Sequence, residues 1–509
     1  MTVLRDREAG VCLHLTSLPG PHGIGTLGEP ARRYIDAMRV MGLRVWQFLP
    51  IGPTGFGDSP YQSKSVYAGN PLLIALESLL QQGLVTAAEV SVLESLPRGS
   101  VSFERLIPLK SQVLARAGER FAQIASASRQ SARDDFVATH DSAWLHDYAL
   151  FEVLKDMHQQ RAWLEWEPAY ALRDPDALCA LETAARAEIE TVKSLQFIFF
   201  EQWNDLKAYA ADHGVRLMGD VPIYVALDSA DAWARRDLIC LDDAGMPTEV
   251  AGVPPDYFSA DGQLWGNPLY RWDRHAGDGF AWWISRLRHM LQLVDLIRLD
   301  HFRGFEAYWA IPADAQTARE GQWRPGPGAA LFDALRCALG ELPIVAEDLG
   351  VITPAVESLR ERCGFPGMKV LQFMVGEDDF EPSSIPEDCV CYTGTHDNDT
   401  ARGWFFGEAA EQRSPEAIAD MRANVLRATG GQSLSVHVDL VRLAFATPAR
   451  LVVAPLQDYL GLDSSGRLNV PGTATNNWRW RVMDDQISTD VCASVEKLVA
   501  DSDRDGTAG

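Results

Sequence analysis

Eight short apolar runs, set between stretches of helical periodicity, constrain this chain more than any other feature. They lie at residues 11–15, 45–49, 216–220, 296–300, 343–347, 368–373, 389–394 and 450–455. A parallel strand buried on both faces reads as a brief Val/Ile/Leu-rich stretch. Alternation of strand and helix argues for a parallel sheet, and a count of eight argues for a closed (β/α)8 TIM barrel, an α/β fold. One helix is legible in detail: Pro30 opens 31–41, Tyr34, Ile35, Met38 and Met41 fall at helical spacing, and Gly42 ends it. Residues 280–293, 329–339 and 355–362 read similarly.

Four of the runs lead into a carboxylate: Asp220 (RLMGD), Asp300 (LIRLD), Glu347 (PIVAE) and Asp397 (VCYTGTHD). In a barrel, a polar residue at the C-terminal end of a strand points into the active-site mouth. Four acids converging on one mouth repel one another, so the arrangement is costly unless chemistry needs it. The pattern predicts an enzyme that works with carboxylates.

Composition narrows the partners. A net charge of −24 argues against nucleic acid and against an anionic membrane or substrate, and leaves a neutral substrate as the natural reading. Trp outnumbers Tyr, 15 to 12, which core packing explains for most positions and sugar-stacking platforms explain for others. The eight cysteines form no CxxC pair, so neither zinc nor a disulfide scaffold is expected. Residues 1–9 hold no apolar signal segment and no run is long enough to cross a bilayer, so the expected location is cytoplasmic.

Uneven spacing of the strands marks the insertions. Residues 1–500 are expected to form one catalytic barrel. Within it, about 75–190, rich in Ala, Leu, Glu and Arg, reads as a helical insertion. About 230–275, with Pro254, Pro255, Gly262, Gly266 and Pro268 among aromatics, reads as an ordered, loop-rich insertion. The polar stretch 501–509 is expected to be a disordered tail.

Two motif matches are decoys. GIGTLG at 23–28 fits GxGxxG formally, yet seven residues with two prolines separate it from the strand, and no acid follows at the required distance. DSDRDG at 501–506 imitates the start of a calcium loop, but the chain ends before the Glu that would close it.

Retaining glycosidases need a carboxylate nucleophile and a carboxylic acid about 5–5.5 Å apart, a separation that neighbouring barrel strands can supply. Runs four and five are neighbours, which sets Asp300 beside Glu347. Arg298 points the same way as Asp300 by period-two alternation, and its charge favours the ionised form a nucleophile needs. The charge of Asp348 is expected to help keep one of the Glu347–Asp348 pair protonated, as a general acid requires. Asp397, beside His396, is placed to hold sugar hydroxyls and favour an oxocarbenium-like transition state. Simpler readings stand beside these. A strand-end Asp also caps helices or pairs with Arg, and His301 and His396 also read as core histidines or as metal ligands.

Longer segments then resemble one family. They are LHLTSLPGPHGIGTLG at 13–28, GDSPYQSKSVYAGNP at 57–71, GDVPIYVALDSADAWA at 219–234 and GVPPDYFSADGQLWGNPLY at 252–270. IRLDHFRGFEAYW at 297–309, AEDLG at 346–350 and YTGTHDNDT at 392–400 complete the set. In these the chain resembles the 4-α-glucanotransferases (amylomaltases, or disproportionating enzymes) of glycoside hydrolase family 77. The resemblance implies an amylase-related barrel with inserted subdomains, no C-terminal β-domain, and no cofactor or metal. It puts the nucleophile on Asp300, the acid/base on Glu347 and the transition-state-stabilising acid on Asp397. Sugar contacts would fall on Ser59, Tyr61, Asp220, Arg298, His301 and His396, and an acceptor-side loop on Tyr257, Phe258, Ser259, Gln263 and Trp265. Phe56 stands where some members carry Tyr at a secondary glucan site, which puts that site in question here.

The expected activity is retaining transfer of α-1,4-glucan segments onto another glucan, a maltooligosaccharide or glucose. Two alternatives use the same residues: an amylase-type hydrolase with water as acceptor, and a non-catalytic glucan-binding scaffold. The aromatic pair Tyr257–Phe258 bears on the first, because a lid over the intermediate would exclude water.

Overall fold

A computed structural model describes residues 3–4, 6–255, 261–407 and 414–506. Twelve strands are described: β1 (Glu8–Cys12), β2 (Val45–Gln47), β3 (Arg216–Val221), β4 (Glu249–Val253), β5 (Gln263–Pro268), β6 (Leu296–Leu299), β7 (Ala307–Pro312), β8 (Gln322–Pro325), β9 (Ile344–Ala346), β10 (Gly367–Val370), β11 (Cys389–Tyr392) and β12 (Leu451–Pro455). Eight of them form one parallel sheet in the order β10-β11-β12-β1-β2-β3-β6-β9. The ends of that sheet approach each other, and Ala346 N donates to Pro366 O at 2.8 Å, so the sheet curls into a nearly closed barrel. All eight apolar runs of the sequence lie in or overlap its strands. The first is displaced: the ladder to β12 begins at Glu8, and Leu15–Ser17 turn away in a short 3-10 helix.

Two cores follow from the alternation of side chains along the strands. Val45, Met218, Leu296, Val345, Met368, Val390, Leu451 and Val453 fill the barrel interior, with Leu4 packed into the same cluster. The outward-facing set, including Val11, Trp46, Leu217, Ile297, Ile344 and Val452, packs against the surrounding helices. The helix Glu29–Val40 shows how: Tyr34, Ile35 and Met38 are buried, Pro30 sits in its first turn, and Gly42 at φ +74° lets the chain reverse.

Between β2 and β3 the chain runs through helices, the longest being Phe103–Ile124 and Arg186–Asp212. Residues 230–275 are more regular than a loop. β4 and β5 join β7 and β8 in a four-stranded antiparallel sheet of order β5-β4-β7-β8. The Pro254–Pro255 pair follows β4 and Gly262 precedes β5, whereas Gly252 lies inside β4, and the partner β7 lies beyond β6, out of reach of local pattern.

The expected disordered tail also requires correction over its first part. Arg504 is fully buried, and its guanidinium donates to the carbonyls of Phe445, Thr447 and Ala449 at 2.7–2.8 Å. A charge with that many donors satisfied inside the protein pins residues 501–506 to the barrel; residues 507–509 lie outside the described range. No helix among the described residues is long and apolar enough to cross a membrane.

Candidate active site

Strand register brings the acids together. Asp220 on β3 sits directly opposite Arg298 on β6, so the two side chains share a face. Arg298 Nη1 donates to Asp220 Oδ2 at 2.6 Å and forms an ion pair with Asp300 Oδ1 at 2.9 Å. Both Arg298 and Asp220 are buried, while the Asp300 side chain keeps a quarter of its surface. Burial opposes the charge on Arg298, but the Asp220 and Asp300 carboxylates raise it above the ordinary arginine value. One fixed cation thus serves two carboxylates.

Glu347 stands one residue beyond β9. Its Oε2 accepts from the backbone N–H of His301 at 2.7 Å and its Oε1 from that of Leu349 at 3.1 Å. The first contact depends on an unusual backbone: His301 lies in the left-handed region at φ +49°, which aims its N–H across at the neighbouring strand end. Such conformations are uncommon for residues other than Gly and cluster at functional sites. Burial pushes the Glu347 carboxyl up to about 8, and the Asp300 charge adds to this against the pull of Arg298. Burial likewise raises Asp220 against the pull of Arg298. Asp348 takes no part, contrary to expectation. Its carboxylate accepts from Met368 N at 2.7 Å and meets Arg360 at 3.2 Å, directed at β10.

A second cluster closes the other side. Tyr61 O–H donates to Asp220 Oδ2 at 2.8 Å, and its oxygen lies 2.8 Å from His396 Nε2, with the two rings stacked at 5.3 Å. A hydroxyl has one proton. With that proton on Asp220, the tyrosine oxygen accepts from His396 Nε2–H. Burial lowers the His396 pKa, so the ring is neutral. Asp397 Oδ1 lies 3.4 Å from His396 Nε2. Ser59 Oγ accepts from Tyr61 N at 3.3 Å and so shapes the Tyr61 turn. Burial takes the His301 imidazole down to about 4, and Trp265 meets its edge at 4.8 Å. Trp265 Nε1 donates to Gln263 Oε1 at 3.0 Å. Tyr257, Phe258 and Ser259 lie outside the described residues. Phe56 is largely exposed. No group of three or more His, Cys, Asp or Glu among the described residues is placed to hold a metal ion.

Comparison with known proteins decides the family. The chain matches the family model described as 4-alpha-glucanotransferase (glycoside hydrolase family 77) over residues 13–486. It belongs to the family 77 4-alpha-glucanotransferases. It is 45% identical to the 4-alpha-glucanotransferase of Synechocystis sp., covering 96% of each chain. It is 44% identical to that of Thermus thermophilus, over 98% of this chain and 99% of the relative. The amylomaltase of Streptococcus agalactiae, solved in complex with acarbose, superposes with a TM-score of 0.92 at 35% identity, covering 98% of this chain and 99% of the other. The enzyme is accordingly a transferase of hexosyl groups of the 4-alpha-glucanotransferase type.

The candidate site also contains residues that the sequence reading missed. Asn469 Nδ2 donates to Asp397 Oδ1 at 2.6 Å, and Arg467 Nη2 donates to the Asp397 carbonyl at 2.9 Å. From the same segment, Trp478 packs 6.1 Å from Tyr61 and 6.2 Å from His396. The only signal at the sequence level was local density: SSGRLNVPGTATNNWRW at 464–480 is rich in Gly, Asn, Pro and Trp, the composition of an ordered loop.

Proposed function

We propose that the enzyme moves segments of α-1,4-glucan by a retaining, two-step mechanism through a glucosyl ester of Asp300. In the first step the Asp300 carboxylate attacks the anomeric carbon, the glycosidic bond breaks, and Glu347 gives its proton to the departing 4-oxygen. Glu347, now a carboxylate, takes the proton of an incoming 4-hydroxyl in the second step. That oxygen displaces Asp300 and restores the α-linkage. Arg298 holds Asp300 for in-line attack. Asp397, His396, Tyr61 and Asp220 form the face that holds the sugar's hydroxyls. Gln263 and Trp265, with Tyr257, Phe258 and Ser259, serve the acceptor side.

The observation that carries this reading is the asymmetry of the two carboxyls at neighbouring strand ends. Glu347 is buried and raised to about 8, whereas Asp300 is partly open and paired with an arginine. Environments that separate two carboxyls in this way assign the acid and the nucleophile. A relative solved with acarbose is consistent with a carbohydrate in this mouth. The test is incubation with maltotriose and sizing of the products over time. Glucose together with a ladder of longer oligosaccharides is expected. Shorter products alone would replace transfer by hydrolysis, and saccharide binding without products would leave only a scaffold.

A further inference from the structure

His396 and Asp397 sit on the short loop that leaves β11 and enters the helix Ala401–Phe406. The loop takes no part in the sheet, so its place in the mouth is set by side chains from neighbouring strand ends. Gln372, just past β10, holds two points: its backbone N–H donates to Thr393 O at 3.2 Å and its Nε2 to Asp399 O at 2.9 Å. Inside the loop, Asn398 Oδ1 accepts from the backbone N–H and the hydroxyl of Thr395 at 2.8 and 2.9 Å. These bonds close a tight turn around Asp397. A turn that is rigid in itself still depends on how its two ends are anchored.

Asp458 supplies that anchor. It lies just past β12 in the short helix Leu456–Tyr459 and is 1% exposed, so it cannot meet a sugar. Its Oδ2 accepts from the Thr393 hydroxyl at 2.6 Å, where the loop begins. Its Oδ1 accepts from the Ala401 backbone N–H at 2.7 Å, where the loop ends. The Ala401 N–H is one of the helix N-terminal donors that have no partner within the helix. Both acceptor oxygens belong to one planar group, so the two ends of the loop are held at a fixed separation and referred to the end of β12. Burial raises the Asp458 carboxyl to about 6, while the bonds from Ala401 and Thr393 pull it down. Burying a carboxyl is costly unless its bonds compensate. Here the compensating bonds fall at the two ends of the loop that carries Asp397 and His396.

We propose that Asp458 is a positioning residue for the reaction: through Thr393 and Ala401 it fixes where Asp397 and His396 stand in the mouth, without touching the sugar itself. The inference rests on the sugar-binding reading of those two residues given above. The experiment has a kinetic arm and a structural arm, both on the full chain. Maltotriose disproportionation is measured for Asp458→Ala, Thr393→Val and Thr393→Ser, at a temperature where circular dichroism shows each variant folded. Thr393→Val keeps the branched bulk and removes the hydroxyl, whereas Thr393→Ser keeps the hydroxyl. A misplacement of about 1 Å at a reacting centre costs about 100-fold, so Asp458→Ala should lower kcat about 100-fold and Thr393→Val, which loses one bond of the two, about tenfold. KM should stay within about threefold of the native value, because bonds to sugar hydroxyls strengthen in the transition state. Thr393→Ser should stay within about twofold of native kcat, short of the loss that misplacement causes. An anchor that served stability alone would lower the melting temperature and leave kcat of the folded enzyme unchanged. In the structural arm, crystal structures of the native enzyme and Thr393→Val should show Asp397 displaced in the variant, with its 2.6 Å contact to Asn469 lengthened. Native kcat in folded Thr393→Val, a loss confined to KM, or Thr393→Ser no better than Thr393→Val would each overturn the proposal. If Asp458→Ala fails to fold, the Thr393 pair decides it. If the native enzyme transfers no glucan, the functional reading falls, and the crystal structures still decide the anchor: an unmoved Asp397 overturns it.

Discussion

Burying a general acid carries a stability cost that varies with pH in a calculable way. Glu347 is held at about 8 against an ordinary value of 4.5, by burial first and by Asp300 second. Below pH 4.5 the group is protonated in the folded and unfolded chain alike, and its contribution to stability is fully present. As the pH rises from 4.5 to about 8, the unfolded chain releases the proton and the folded enzyme retains it, so stability falls by about 1.4 kcal/mol per pH unit. Above about 8 both states are ionised and the loss stays constant, at about 5 kcal/mol. Glu347→Gln makes the side chain neutral at every pH. It also turns an amide N–H toward the backbone N–H of His301 or Leu349, a fixed penalty of about 1–3 kcal/mol that does not depend on pH. The informative quantity is therefore the slope. Urea unfolding followed by Trp fluorescence should show the variant gaining on the native enzyme steadily between pH 5 and about 8, and no further change above it. Loss of the acid form should also bring kcat/KM of the native enzyme down above about pH 8. A stability difference that is flat with pH would refute the assignment of the raised proton to Glu347.

Three further outcomes follow. Asn469→Ala removes a short, charge-assisted bond that holds the Asp397 carboxylate, and misplacing a group at the reacting centre by about 1 Å costs about 100-fold, so kcat for maltotriose transfer should fall about 10- to 100-fold. Truncation after residue 500 strips the buried carbonyls of Phe445, Thr447 and Ala449 of their Arg504 donors and should destabilise the fold by about 3 kcal/mol or more, read as a lower urea midpoint. Tyr257→Ala or Phe258→Ala should raise the ratio of hydrolysis to transfer, measured as reducing ends released from a long glucan against transfer to added glucose; an unchanged ratio in the double variant would leave acceptor preference to Gln263 and Trp265.

The barrel was legible because its signal is local. A strand covered on both faces must be apolar along its length, so β3 or β12 announces itself without knowledge of its partners. A carboxylate that closes such a run stands out for the same reason, which is why Asp220, Asp300 and Glu347 could be read directly. The antiparallel sheet was not legible, because β4, β5 and β8 are short and broken by Gly and Pro, and β7 gains its meaning only from pairing with β4. Asp348 was misread for a related reason. Chain adjacency to Glu347 suggested shared electrostatics, whereas strand geometry turns successive side chains apart and gives Asp348 to Arg360. Asn469 reaches Asp397 across 72 positions of sequence, and no spacing rule links two residues that meet only through the folded barrel. The tail misled because polar composition describes solvation on average, while Arg504 found a ring of carbonyls to satisfy it.

The central claim is a glucosyl ester on Asp300 formed with Glu347 as acid and base, and it can be tested by trapping that ester. Glu347→Gln still allows attack on α-maltosyl fluoride, whose leaving group needs no proton, but lacks the base for the second step. Peptide mass spectrometry of the acid-quenched variant should find one maltosyl unit, on the peptide that contains Asp300. A maltosyl unit on Asp220 or Asp397 instead, or no covalent adduct while fluoride is released, would contradict the account.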